Sequence, residues 1–170
     1  RNDVIGDIHA VADPGIFDTP IDAAPDPDAN VIYFTATSAQ GPGVFRVSAG
    51  GGDPAAVYTG DPFTDINGIA VSGDGQTIFV ADSGANVVWA LGLDGSTPQA
   101  VIGTEGVAAS GVEIKPEPDG DMLYVTGSEA GTPGVWKVPA TGGERAAVLT
   151  GDPLVTPMGV AIAGDGTVYV

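Results

Sequence analysis

The chain has 170 residues, of which 43% are apolar, 27 are Gly and 14 are Pro, a composition that predicts a folded domain of short strands and frequent turns. Its 22 acidic and 5 basic residues give a formal net charge of −17, which argues against nucleic acid or anionic lipid as a partner. The absence of Cys excludes disulfides and Cys nucleophiles, and no apolar stretch has the length of a membrane span.

In chain order, the first predicted element is a strand at residues 8–11, read as the outer strand of a preceding sheet. Three units follow, each with the same order of four short strands separated by Gly-, Pro- and Asp-rich turns. A further unit begins near the end of the chain and shows only its first two strands. The predicted units span residues 21–59, 68–103, 111–150 and 159–170, within a single domain of residues 1–170.

The two halves of the chain repeat each other, and this repeat is the basis of the fold prediction. Residues 21–76 align with residues 112–167 at an offset of 91 without a gap, and 25 of these 56 positions are identical by direct count. Each half contains two units, so the chain has four unit starts. Counted from the first apolar residue of each unit, these starts are separated by 48, 43 and 48 residues. These first residues are Ile21, Ile69, Val112 and Val160.

Spacings of this size are typical of a β-propeller blade with four strands. The sequence therefore predicts an all-β fold, a propeller of four-stranded antiparallel blades. About three and a half blades are present, as part of a six-bladed ring. Bulky aromatic residues recur at one position of the second strand and one of the third, where packing between blades explains them. They are Tyr33, Phe79, Tyr124 and Tyr169 on the second strands, and Phe45, Trp89 and Trp136 on the third.

Two stretches carry a resemblance to a known family. NGIAVSGDGQTIFVADSGANVVWALGLDG (Asn67–Gly95) and MGVAIAGDGTVYV (Met158–Val170) resemble the NHL-repeat and SMP-30 (gluconolactonase-like) group of six-bladed β-propellers. The resemblance implies an extracellular or periplasmic protein. It also implies either a ligand-binding module or a calcium-dependent lactonase or esterase.

In the SMP-30-like enzymes a divalent cation lies in the central channel, held by acids and amides at the starts of inner strands. The resemblance implies that Asn67 stands at one such ligand position, because it precedes Gly at the opening of an inner strand. Glu113, on another inner strand, is the second candidate ligand. Ca²⁺ is therefore the candidate cofactor. The alternative for Asn67 is a structural role, capping the turn before the strand.

Two turns have acidic or amide residues at alternate positions, as the start of a calcium loop does. An ordinary turn is the favoured interpretation, because the loop Gly and the distal Glu of a calcium loop are missing after both. The residues of this possible surface calcium site are Asp26, Asp28, Asn30, Glu117, Asp119 and Asp121. The single histidine, His9, is a weaker candidate for a metal ligand or general base, and no residue is assigned as catalytic or cofactor-binding.

These observations favour a non-catalytic, secreted, NHL-like propeller that acts as a binding or scaffold module for a protein or a small molecule. The first alternative is a calcium-dependent lactonase or esterase of the SMP-30 type, which would need further oxygen ligands around the channel. The second alternative is a structural protein that assembles with itself by strand exchange. No membrane insertion and no nucleic-acid partner are expected.

Overall fold

The computed structural model describes residues 10–12 and 15–170, in which fourteen β-strands form four antiparallel sheets. The first sheet, blade 1, contains β1 (Pro20–Pro25), β2 (Val31–Ala36), β3 (Gly43–Ser48) and β4 (Ala55–Thr59). Blade 2 contains β5 (Ile66–Val71), β6 (Thr77–Asp82), β7 (Val87–Gly92) and β8 (Gln99–Ala100). Blade 3 contains β9 (Val107–Lys115), β10 (Met122–Glu129), β11 (Thr132–Pro139) and β12 (Ala146–Thr150). A half-blade contains β13 (Ala161–Ile162) and β14 (Val168–Tyr169).

Within each four-stranded sheet, every strand pairs with its neighbour in the chain, so each blade is a simple up-and-down meander. This arrangement confirms the predicted all-β fold with three four-stranded antiparallel blades and part of another. His9 lies outside the described residues, and so do the first two residues of the predicted strand at residues 8–11. No helix among the described residues is long and apolar enough to cross a membrane.

Apolar side chains fill the spaces between consecutive blades. One cluster joins Tyr33 of blade 1 to Ile69 and Ile78 of blade 2, and another joins Phe79 of blade 2 to Trp136 of blade 3. The second-strand aromatics Tyr33 and Phe79 thus face the following blade, and the third-strand aromatics Trp89 and Trp136 face the preceding one. These large side chains pack among Val, Ile, Leu and Ala residues, and burial of the whole set stabilises the contacts between blades.

At one point near the axis, the inner strands β5 and β9 come too close together for a side chain. A Cβ added at Gly68 on β5 would lie 2.8 Å from the Cα of Gly111 and 2.9 Å from the nitrogen of Val112, both on β9. The buried Thr35 hydroxyl donates a 2.7 Å hydrogen bond to the carbonyl of Asn67, which ties blade 1 to the start of blade 2. Small residues on the first strands therefore permit both close packing and polar contacts between blades.

A buried carboxylate fixes the loops at one end of blade 2. Asp82 is fully buried and accepts four hydrogen bonds of 2.9–3.0 Å, from three backbone N–H groups and one indole N–H. The donors are Thr64, Asp65 and Ala85 through the backbone and Trp89 through Nε1. A buried charge is tolerated only when hydrogen bonds of this kind replace its hydration.

Candidate functional site

The inner strands surround a groove of about 520 Å³. Strands β1, β5 and β9 form its walls, together with residues 158–160 at the start of the half-blade. Most of the lining is small and apolar, so a few polar side chains determine what the groove can bind. They are Asp22, Asn67, Ser110 and Glu113.

Two carboxylates occupy equivalent positions on alternate inner strands of this groove. Asp22 on β1 and Glu113 on β9 are separated by 91 residues, which is the offset of the repeat. Each carboxylate accepts a hydrogen bond from the backbone N–H of the next residue, at 2.9 Å for Asp22 and 3.0 Å for Glu113. The inner strands of blade 2 and the half-blade carry Ala70 and Ala161 at the same position. The acidic groups therefore alternate with Ala around the groove.

Glu113 is the groove residue whose ionisation the surroundings most clearly disfavour. Burial raises the pKa of its carboxyl above the ordinary value, the hydrogen bond from Ile114 opposes that rise, and the negative charge of Asp22 adds to it. Desolvation and a nearby like charge both destabilise the ionised form of a carboxyl group. At a pH near the pKa of Glu113, this carboxyl group is partly protonated. The groove then carries less negative charge than two ionised carboxylates would give.

We expect the Asp22→Asn variant to lower the pKa of Glu113 toward its ordinary value, because it removes the like charge but keeps a similar shape. Since the folded-state pKa is raised, the folded protein holds the proton at a higher pH than the unfolded chain. The contribution of Glu113 to stability must then fall as the pH rises from the unfolded toward the folded pKa. Side-chain carboxyl NMR shifts measured during a pH titration test this, and an unchanged Glu113 titration in Asp22→Asn would contradict it.

Asn67 lies at the rim of the groove, where its amide group is held by the surrounding loops. Its Nδ2 donates to the carbonyl of Asp65 at 2.9 Å and to the Ser83 hydroxyl at 3.0 Å, while its backbone carbonyl accepts from Thr35. These contacts orient the start of β5 and fit the structural alternative given for this residue. A role of Asn67 and Glu113 as ligands of a channel metal stays a prediction.

The predicted surface calcium residues occupy the turns that follow β1 and β9. Asp26 closes its turn by accepting from the backbone N–H groups of Asn30 and Val31, at 2.7 and 2.8 Å. In the other turn, Glu117 forms an ion pair with Lys115 at 3.3 Å. Asp28 and Asp119 are exposed, and Asp121 accepts from the N–H of Gly73 in the turn of blade 2. Calcium binding by these two turns also stays a prediction.

Among the described residues, no three His, Asp or Glu side chains are grouped as a metal site requires. Two polar residues with important positions were not singled out from the sequence. Asp22 could have been found because the repeat aligns it with Glu113. Asp82 could have been found because it stands three residues after the second-strand aromatic, where the other two blades have Ala36 and Gly127. In both cases the signal is an acid at an inner or buried strand position, where acids are costly.

Comparison with solved structures agrees with the architecture. The chain is similar to one in the crystal structure of a nidogen/laminin complex, with 26% identity and a TM-score of 0.72, over 86% of this chain and 53% of that one. For TolB from Acinetobacter baumannii, identity is 18% and the TM-score 0.65, over 88% of this chain and 36% of that one. For regucalcin, a calcium-binding protein from Agrobacterium tumefaciens, identity is 16% and the TM-score 0.61, over 85% of this chain and 49% of that one.

These structures are β-propellers, and the fold of this chain is therefore a β-propeller, as the repeat predicted. The chain spans about half or less of the length of each of these structures. No protein-family model and no curated protein matches the chain. Membership of the NHL or SMP-30 group thus remains a prediction from the two motifs.

Proposed function

We propose that this propeller segment is a non-catalytic, secreted binding module whose central groove and rim engage a protein partner. The observation that carries the proposal is the structural use of two of the four polar groove residues, Asp22 and Asn67. Asp22 accepts from the N–H of Ile69 in the next blade at 3.1 Å, and Asn67 is bonded to the loop of Ser83. A rim held in place by such bonds is preorganised for recognition, because little ordering is needed on binding.

The likeness to nidogen supports a protein as the partner, since that structure is a nidogen/laminin complex. The formal net charge of −17 supports a partner with a basic surface, because opposite charge speeds encounter and suppresses wrong partners. On this proposal, the association rate constant falls as salt is added, while the dissociation rate constant changes little.

The test uses the chain as bait in a secreted fraction of the source cells, followed by reconstitution with the purified protein that it retains. Ser110 lines the groove, and we expect Ser110→Arg to weaken the reconstituted complex by roughly tenfold or more through steric and charge mismatch. The exposed Asp119→Ala variant serves as the control and should bind as the wild type does. Equal binding by Ser110→Arg and the wild type, or no retained protein at all, would contradict the proposal.

The pair Asp22 and Glu113 in one groove favours a second candidate, the calcium-dependent lactonase or esterase. Carboxylate oxygens are preferred calcium ligands, and a bound cation would polarise the carbonyl of a lactone. Calorimetric titration with Ca²⁺ separates the two functions. If the wild type binds Ca²⁺ and hydrolyses a lactone, and the Asp22→Asn/Glu113→Gln double variant no longer binds Ca²⁺, the protein is the enzyme and the binding-module proposal is wrong.

A further inference from the structure

Asn67 and Gly68 form a dipeptide of low chemical stability at the start of β5. Asn67 is the only one of the four Asn residues in the sequence that is followed by Gly. The backbone nitrogen of the residue after an Asn can attack the side-chain amide of that Asn, and a side chain on the attacking residue hinders the approach. Asn30 and Asn86 are each followed by Val, which is branched at Cβ. Asn67 is therefore the Asn whose local sequence most favours loss of its amide group.

The fold requires Gly at the second position of this dipeptide. Gly68 is buried, and a Cβ added to it would lie 2.8 Å from the Cα of Gly111 on β9. The approach of β5 to β9 thus excludes every side chain that would hinder the attack. The labile position is a consequence of how blades 2 and 3 pack near the axis.

The fold also requires an amide, rather than a carboxylate, at the first position. The Nδ2 of Asn67 donates to the carbonyl of Asp65 at 2.9 Å and to the Ser83 hydroxyl at 3.0 Å. The Ser83 hydroxyl in turn donates to a carboxylate oxygen of Asp65 at 2.9 Å. A carboxylate oxygen in the place of Nδ2 would have no proton to donate to these acceptors, and it would bring a second negative charge close to Asp65.

The two hydrogen bonds of Nδ2 also protect the amide group. In the reaction Nδ2 leaves as ammonia, so the bonds that hold it must open before it departs. Asn67 is half-buried, which leaves the amide within reach of water. The same contacts that make the amide necessary for the structure therefore oppose its loss.

We propose that Asn67 is the principal site of spontaneous deamidation in this protein, and that its contacts with Ser83 and Asp65 set the rate. The nitrogen of Gly68 gives its proton to solvent and forms a bond to Cγ of Asn67, while Nδ2 takes up a proton and leaves as ammonia. Water then opens the resulting cyclic imide at either of its two carbonyl carbons, which leaves aspartate or isoaspartate at position 67. No oxidant or reductant takes part, and the inference does not depend on the proposed function.

Either product disturbs the junction between blades 1 and 2. Both products carry a carboxylate in place of the amide that donates to Asp65 and Ser83. In isoaspartate the main chain also runs through the former side chain and is one carbon longer. The carbonyl that accepts the 2.7 Å hydrogen bond from Thr35 then belongs to a free carboxylate and no longer to the main chain. We therefore expect the modified protein to unfold at a lower urea concentration than the intact one.

The test is incubation of the folded chain at mildly alkaline pH, with peptide mass spectrometry at intervals to follow each Asn. We expect Asn67 to convert faster than Asn30 and Asn86. Ser83→Ala removes one bond to Nδ2 and should raise the rate at Asn67 by roughly two- to tenfold, the usual effect of one hydrogen bond. Ser128→Ala, at the corresponding loop position of blade 3, is the matched control and should convert as the wild type does. Circular dichroism establishes beforehand that both variants are folded.

Two further measurements separate the effect of the contacts from that of the local sequence. The wild type unfolded in urea should convert at Asn67 faster than the folded protein, because both hydrogen bonds are then open. Asn67→Gln keeps an amide but would need a larger ring to cyclise, so its urea midpoint should stay constant during the incubation while that of the wild type falls.

The proposal is overturned by any of four results. Asn67 in the folded wild type could convert no faster than Asn30 and Asn86, or Ser83→Ala could convert at the same rate as Ser128→Ala. The unfolded chain could convert at Asn67 no faster than the folded one. Finally, the urea midpoint of Asn67→Gln could fall as that of the wild type does, which would place the damage elsewhere in the chain.

Discussion

Replacing Asp82 with Ala is expected to lower the free energy of unfolding by about 3 to 5 kcal/mol. The change leaves three backbone N–H groups and the indole N–H of Trp89 without the acceptor that they share in the wild type. A buried donor without a partner costs about 1–3 kcal/mol, and the total here is smaller than four times that cost because Thr64 and Asp65 are exposed and their loop can turn toward water. Urea unfolding followed by tryptophan fluorescence and circular dichroism measures the effect.

Two further variants make this result specific. Asp82→Asn keeps the size of the side chain but turns an amide N–H₂ toward donors, so we expect it to lose most of the same stability. Asp119→Ala removes an exposed carboxylate from a turn and should change stability by no more than about 0.5 kcal/mol. If Asp82→Ala proved as mild as Asp119→Ala, the buried network would not be the anchor of the blade 2 loops.

Replacing Gly68 with Ala is expected to destabilise the protein by about 1–3 kcal/mol, because the inner strands would have to move apart. The new methyl group would meet backbone atoms of Gly111 and Val112 at 2.8–2.9 Å, and backbone atoms cannot turn aside as a side chain does. Gly111→Ala should act in the same direction, since its Cβ would clash with the carbonyl of Met158.

The repeat offers a matched control for this prediction. Gly159 corresponds to Gly68 at the offset of 91, but among the described residues no atom outside its own chain neighbours lies within 4 Å of the Cβ that Ala would place there. Gly159→Ala should therefore leave the midpoint of urea unfolding unchanged or raise it slightly, because Ala restricts the unfolded chain more than Gly does. Equal destabilisation by Gly68→Ala and Gly159→Ala would show that close approach of the strands is not the cause.

The candidate site was only partly accessible from the sequence. Asn67 was identified through the family resemblance and Glu113 by its place on a predicted inner strand, and both line the central groove. Asp22 was not singled out although the repeat aligns it with Glu113, and only the packing of blades 1 and 3 around the same axis brings its charge near enough to raise the pKa of Glu113. Asp82 stands on a strand where the sequence repeat has small residues, but the sequence does not show the four donors that surround its carboxylate.

The sequence by itself determined the blade architecture of this protein. Its repeat of 91 residues, the regular spacing of Gly- and Asp-rich turns, and the recurring aromatic residues are local or periodic signals. Each blade is a meander of neighbouring strands, so its strands pair with segments close along the chain. Only the tertiary structure decided which polar groups meet across the blades. Those contacts join residues far apart in sequence, and their energy depends on burial, which appears only after the blades have packed.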